Sequence, residues 1–310
     1  MKRTYWILLG LLALFLILYL VASQKEKRRL SAPITENFLG IDTSAVFKIE
    51  IKRLGLNIVF ERKDDVWWMT QPENYEADQQ SINGLLESAQ NLKVKNLISS
   101  NVRKQIKFQV DTLTGTRLNL FYDENPEASV VIGKISPDFT HCYVRKTDSD
   151  EVYLAATYLS LMLNRSPKGW KNREILKLNP QEVSSVEIMK GKNKFKIERE
   201  DTLWRASLYP YKKSFDANKE STEKFLNALC YLVTDDFPGI RDLEKLDFEN
   251  PDYHYRITLR DQSEKSLMVF KLKDQEGRYF LKKNQDDTMF LLYGQSFERI
   301  DKEIDDFKSE

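Results

Sequence analysis

The sequence predicts an α+β protein: two tandem copies of an antiparallel β-meander domain, each with one main amphipathic helix, preceded by a single transmembrane helix. Three observations carry this expectation. Matching motifs recur in one register in the two halves, short segments alternate apolar and polar residues as half-buried strands do, and the N-terminus holds an unbroken apolar run.

The apolar run covers residues 6–22 (WILLGLLALFLILYLVA). At about 1.5 Å per residue it extends about 25 Å, close to the ~30 Å hydrocarbon core of a bilayer. Tyr5, Trp6 and Tyr19 lie near its ends, where amphipathic rings favour the interface. The run exceeds the ~7–15 apolar residues of a signal-peptide core, and Val21-Ala22-Ser23 makes a poor cleavage site. Lys25, Lys27, Arg28 and Arg29 come directly after it, so an uncleaved anchor is expected in place of a cleaved signal. Lys2 and Arg3 precede the run, and the positive-inside count alone leans toward a cytoplasmic C-terminal side. A short tail leading into an apolar run also fits a signal anchor that exports the chain beyond it. The expected location is therefore the cell membrane, with the soluble part periplasmic.

Charge narrows the partners. The chain has 310 residues with 48 Lys+Arg against 47 Asp+Glu, a balance without the basic excess of a nucleic-acid protein. Six basic side chains against Glu26 fall within residues 1–30, so the remainder is mildly acidic and the basic residues serve the membrane surface. The expected partners are the lipid bilayer and other envelope proteins, with no nucleic acid. Two cysteines exclude a disulfide scaffold or a Cys-rich zinc site.

The repeat has a period of roughly 140 residues, domain-sized and far beyond the ~20–50 of solenoids. Ile49-Glu50-Ile51 and Phe60-Glu61-Arg62 leading to Trp67 match Val186-Glu187-Ile188 and Ile197-Glu198-Arg199 leading to Trp204. Tyr75-Glu76-Ala77-Asp78 matches Phe215-Asp216-Ala217-Asn218. In the first copy, residues 46–52 and 57–62 read as a hairpin around Gly55, and residues 66–69 as a third strand ended by Pro72 and Asn74. Asp78 is the expected N-cap of a helix reaching about Leu92, with Ile82, Leu85, Leu86, Ala89 and Leu92 on one face. Four short strands come next, near residues 117–122, 129–133, 142–146 and 152–155. The second copy repeats this at residues 183–189, 194–199 and 203–206, a helix at 218–233, then 255–260, 267–271, 278–282 and 288–292. The expected organisation is an anchor with basic flanks (1–30), a first repeat (44–164), a connector (165–182), a second repeat (183–300) and an acidic tail (301–310).

This succession of strand, turn, strand, charged turn and Trp, then a Pro-containing break and an amphipathic helix, ends in a meander with Tyr143-Val144-Arg145 and Val152-Tyr153. It resembles the bacterial domain-of-unknown-function family numbered 4340, from about Val46 to Phe297, in two copies behind an N-terminal anchor. The family supplies no catalytic residues to carry over. The resemblance implies a companion of ABC-type transporters or of auxiliary subunits of gliding-motility type, with the soluble part outside the cytoplasmic membrane.

Motifs for chemistry are missing from the sequence: there is no G-x-S-x-G, Walker loop, G-x-G-x-x-G, H-E-x-x-H or EF-hand loop. His141-Cys142 are neighbours on an expected strand, so their side chains point to opposite faces. Cys230 falls on the apolar face of the second helix, and His254 begins a strand. Asp235-Asp236, Asp286-Asp287 and Asp305-Asp306 sit in turns or the tail, where solvated acids are the ordinary reading. No catalytic, cofactor or metal residues are assigned. Trp67 and Trp204 recur in both copies and read as core anchors. Trp68 faces the other way, and its counterpart is Arg205, so that face meets solvent. Trp68 is therefore a candidate partner contact, as is Trp170 beside Lys168, Lys171 and Arg173. The expected function is a membrane-anchored, non-enzymatic interaction module, accessory to an envelope transport or gliding-type complex. The alternative is an envelope hydrolase, or a glycan- or ligand-binding domain, using carboxylates between the repeats.

Overall fold

The computed structural model of the chain describes residues 12–14, 16–17 and 37–309, except 138, 156–158, 211–212, 273 and 284–287. Of the anchor expected at residues 6–22, residues 12–14 and 16–17 are described, as α-helix, and the rest lies outside the described residues. Among the described residues no helix is long and apolar enough to cross a membrane. The expected fold class is corrected on this point: the described chain is mainly two antiparallel sheets, and its α-helices are minor parts. The two longest helices among the described residues have 12 residues each. At about 1.5 Å per residue they reach ~18 Å, well short of a ~30 Å hydrocarbon core. The chain divides into two compact units, Met1–Asn172 and Arg173–Glu310.

The first unit runs β1 (Lys48–Arg53), β2 (Leu56–Lys63), β3 (Val66–Gln71), β4 (Tyr75–Glu76), α1 (Gln79–Gln90), β5 (Val94–Ser99), α2 (Gln105–Phe108), β6 (Thr116–Phe121), β7 (Pro126–Ile135), β8 (Cys142–Lys146), β9 (Val152–Ala155) and α3 (Leu159–Leu163). Its nine strands take the order β4-β3-β2-β1-β6-β7-β8-β9-β5, so the first strand lies mid-sheet. Alternation along β1 sends Ile49 and Ile51 into the core and leaves Glu50 and Lys52 on the opposite face. Asp78 caps α1, accepting the Ser81 N–H at 2.6 Å, and Ile82, Leu85, Leu86 and Ala89 bury against the sheet. The connector closes this core. Trp170 is fully buried, edge-on to Phe60 at 5.5 Å, and its carbonyl accepts the Asp78 N–H at 2.8 Å.

The outer face of the same sheet carries a second, smaller core that the sequence does not announce. Phe108 and Val110 pack on Val131 and Val152. Arg145, itself buried, donates from Nε to the carbonyl of Val110 at 3.0 Å and from Nη1 to those of Lys146, Thr147 and Ser149 at 2.9–3.2 Å. The segment lies so close that a Cβ at Gly133 would stand 2.2 Å from the Phe108 carbonyl oxygen. A Cβ at Gly115 would stand 2.3 Å from Val131 Cγ1.

The second unit runs β10 (Val183–Lys190), β11 (Asn193–Glu200), β12 (Leu203–Tyr209), β13 (Lys213–Asp216), α4 (Lys219–Cys230), α5 (Ile240–Leu243), β14 (Tyr253–Leu259), β15 (Glu264–Lys271), β16 (Arg278–Lys283), β17 (Met289–Tyr293) and α6 (Gly294–Glu298). The order is β13-β12-β11-β10-β14-β15-β16-β17. Where the first sheet adds β5, this one has, among the described residues, a bridge between Asp236 and Leu291. Asn218 caps α4 through the Ser221 N–H at 3.0 Å, and Phe225, Leu226 and Leu229 bury. The acidic segment after residue 300 closes this core as the connector closes the first. Phe307 is buried edge-on to Phe225 at 5.4 Å, and its carbonyl accepts the Asn218 N–H at 2.8 Å. Lys190 pins the segment through Asp301 at 2.9 Å and Glu303 at 2.5 Å. On the outer face Leu246, Phe270, Leu272, Phe280, Met289 and Leu291 make a satellite core, with Leu243 of α5 packed against it.

The close approach at Gly133 gives a direct test. Gly133→Ala should lower stability by about 1–3 kcal/mol, the usual cost of overpacking, because the blocking atom is backbone. Urea unfolding measures it, and an unchanged midpoint would mean that residues 108–110 are not fixed on the sheet.

Candidate functional site

Alternation puts the large aromatics of β3 and β12 on defined faces. Trp67 and Trp204 are buried, each cross-strand from an arginine whose guanidinium lies over the ring, Arg62 at 5.9 Å and Arg199 at 4.8 Å. Trp68 turns to the outer face, half-buried, between Glu61 of β2 and Glu76 of β4. Arg205 has the matching place in the second sheet, between Glu198 and Asp216, with ion pairs to Glu200 at 3.3 Å and Asp216 at 3.7 Å. One position thus holds an aromatic between two acids in one unit and a paired cation between two acids in the other. Trp170 leaves the candidate surface: none of its side chain is accessible, and the basic residues that suggested exposure flank a core residue. Arg165 lies over its ring at 5.2 Å.

The outer faces also carry polar rows that sequence reasoning missed. In the first unit Glu50, Asn119 and Ser129 are cross-strand neighbours. Asn119 donates to Glu50 Oε2 at 2.8 Å, and the Ser129 hydroxyl donates to Asn119 Oδ1 at 2.5 Å. Burial opposes ionisation of Glu50, but hydrogen bonds from Lys52 and Asn119 outweigh it and hold the carboxyl below its ordinary range. The second unit places Glu187, Arg256 and Ser266 in the same register. There Lys194 reaches Glu187 Oε2 at 2.9 Å, and Arg256 stands 3.6 Å from Oε1. The Glu50 and Glu187 motifs are visible in the repeat. Their partners lie some 70 residues on, and only the strand register joins them.

The next row differs between units. Lys52 faces Arg117 in the first, whereas Met189 faces His254 in the second. Burial, then the charge of Arg256, lowers the pKa of His254 and favours the neutral ring.

With this geometry in hand, the family profile described as Domain of unknown function (DUF4340) matches residues 67–251. The chain belongs to the DUF4340 family. The matched stretch begins at Trp67 in β3 and ends just before β14, taking in Trp68, Trp170 and Arg205. No curated protein and no solved structure matches this DUF4340 chain.

The remaining reactive candidates of the DUF4340 chain have structural places. Asp235 accepts the Ser296 hydroxyl at 2.9 Å and the Tyr293 N–H at 2.8 Å, and Asp306 accepts the Glu303 N–H at 2.8 Å. Asp286 and Asp287 lie outside the described residues. Among the described residues no three His, Cys, Asp or Glu side chains converge as a metal site. His141 contacts Thr140 through Nδ1 at 2.7 Å. Burial pushes the Cys142 thiol up to about 12 and the Cys230 thiol up to about 11, so both stay protonated at neutral pH. A disulfide-exchange reagent at pH 8 should therefore label neither cysteine in the native protein and both in urea. Rapid native labelling would show a thiol open to solvent.

Proposed function

We propose that the chain is a non-enzymatic interaction module built from two tandem copies of one sheet domain. It is held at the cell membrane by its N-terminal segment and serves as an accessory to an envelope complex of ABC-transport or gliding-motility type. The observation that carries the reading is Trp68: a half-buried tryptophan on the outer face, where the other unit places an ion-paired arginine. Tryptophan is enriched among residues that dominate binding energy, and acidic neighbours such as Glu61 and Glu76 supply a polar rim. The duplication rests on the shared strand order around β1 and β10 and on the closing aromatics Trp170 and Phe307. The membrane and envelope placement rests on the apolar run at residues 6–22 with its basic flank, and on the family resemblance.

Trp68→Ala should weaken recovery of crosslinked envelope partners from membranes by more than tenfold, matching the ~2 kcal/mol typical of an interface tryptophan, with an unchanged thermal melt. Undiminished recovery removes Trp68 from the contact surface. A reporter that works only after export, fused after Glu310, should be active, and activity of a cytoplasm-only reporter at that site would reverse the orientation.

A further inference from the structure

A pocket of about 570 Å³ opens on the outer face of the first unit, beside the β1–β2 turn. Its size falls within the range of about 300–1,000 Å³ usual for small-molecule sites. The floor is one cross-strand row: Asn57, Lys52, Arg117 and Val131. Lys52 and Arg117 stand directly opposite each other, an arrangement that destabilises a bare antiparallel pair. Glu50 relieves Lys52 at 2.7 Å, but Arg117 has no ion-pair partner among the described residues. Arg145 extends the same row beyond Val131.

The lining also holds one acid, Asp111, which, against the opposing effect of burial, its hydrogen bonds keep ionised. Asp111 accepts the N–H groups of Leu113 at 2.9 Å and Thr114 at 3.0 Å, together with the Thr114 hydroxyl. Asn57 Oδ1 is buried without a hydrogen-bond partner, leaving an acceptor for a hydroxyl or a water. The rim is apolar and open, with Leu54 82% and Leu113 66% exposed. The second unit occupies the same row with Lys194, Met189, His254 and Met268, so the architecture does not need the facing cations. Facing cations that the fold can do without, beneath exposed leucines, define the ligand.

We propose that this pocket binds an amphiphilic oxyanion, with a phosphate or carboxylate seated between Lys52 and Arg117 and an apolar portion against Leu54 and Leu113. The site is independent of the Trp68 surface and stands whether or not that surface binds a protein. Calorimetric titration of the full chain in a non-ionic detergent tests it, with inorganic phosphate, hexyl phosphate, hexanoate and dihexanoyl phosphatidic acid as probes. Micelle partition is common to all variants and cancels in their comparison. Saturable binding of hexyl phosphate is expected, weakened at least tenfold by Arg117→Gln and by Arg117→His, which installs the second unit's residue. Leu54→Ser should weaken the amphiphiles and leave inorganic phosphate unchanged. Phosphatidic acid binding far more tightly than hexyl phosphate identifies a lipid headgroup as the source, and equal affinity identifies a soluble monoester. No saturable binding of any probe, or binding unchanged in both Arg117 variants with native melts, overturns the proposal.

Discussion

Each sheet depends on the register of its central strand pair, β1 with β6 and β10 with β14. Side chains alternate with period two, so a slip of one residue would send every core residue to the other face. Ile49 opposite Leu120 and Ile51 opposite Leu118 fix the first register from the buried side, and Val186 opposite Ile257 and Ile188 opposite Tyr255 fix the second. Once those pairs are set, the outer face has no freedom in which residues meet. Glu50 must face Asn119, Glu187 must face Arg256, and Lys52 must face Arg117.

The core so defined is not closed by the helix alone. α1 and α4 each present an apolar stripe, and a 12-residue helix is marginal without tertiary packing. The missing cover comes from segments far along the chain. Trp170 and Phe307 each bring a large ring beneath the sheet and a carbonyl to the N-cap residue of the helix. Removing such a ring from a closed core typically costs about 3–5 kcal/mol, a large share of a domain's stability. A segment that reads as a basic connector, and another that reads as an acidic tail, are thus structural parts of the units they end.

The same distinction between local and distant contacts decides how much was legible in the sequence. The hairpins, the helix behind Asp78 and the burial of Trp67 and Trp204 are local in origin, since alternation, capping and apolar spacing are complete within a few residues. Trp170 was misplaced because its neighbours Lys168 and Lys171 look like surface, whereas a 3-10 turn at Pro167–Trp170 turns the ring inward. The short edge strands β4, β5 and β13 lack a pattern of their own and exist by pairing with a neighbour. The polar rows and the Lys52–Arg117 pair were out of reach for the same reason: cross-strand neighbours far apart in the chain leave no mark in a local window. The apolar run was legible as composition, and most of it lies outside the described residues.

The contrast between the units separates what the architecture requires from what function is free to use. Buried positions keep their character from one unit to the other: Trp67 and Trp204, Ile49 and Val186, Ile51 and Ile188. Outer positions do not. Trp68 stands where Arg205 does, Lys52 where Met189 does, and Arg117 where His254 does, although the strand register is the same. Packing cannot explain these differences, because both sets of residues are compatible with one sheet geometry. Like charges directly opposite each other are unfavourable, and the second unit has none at the pair matching Lys52 and Arg117. Both differences fall on the outer face of the first unit, where the register set by the core beneath decides which side chains meet.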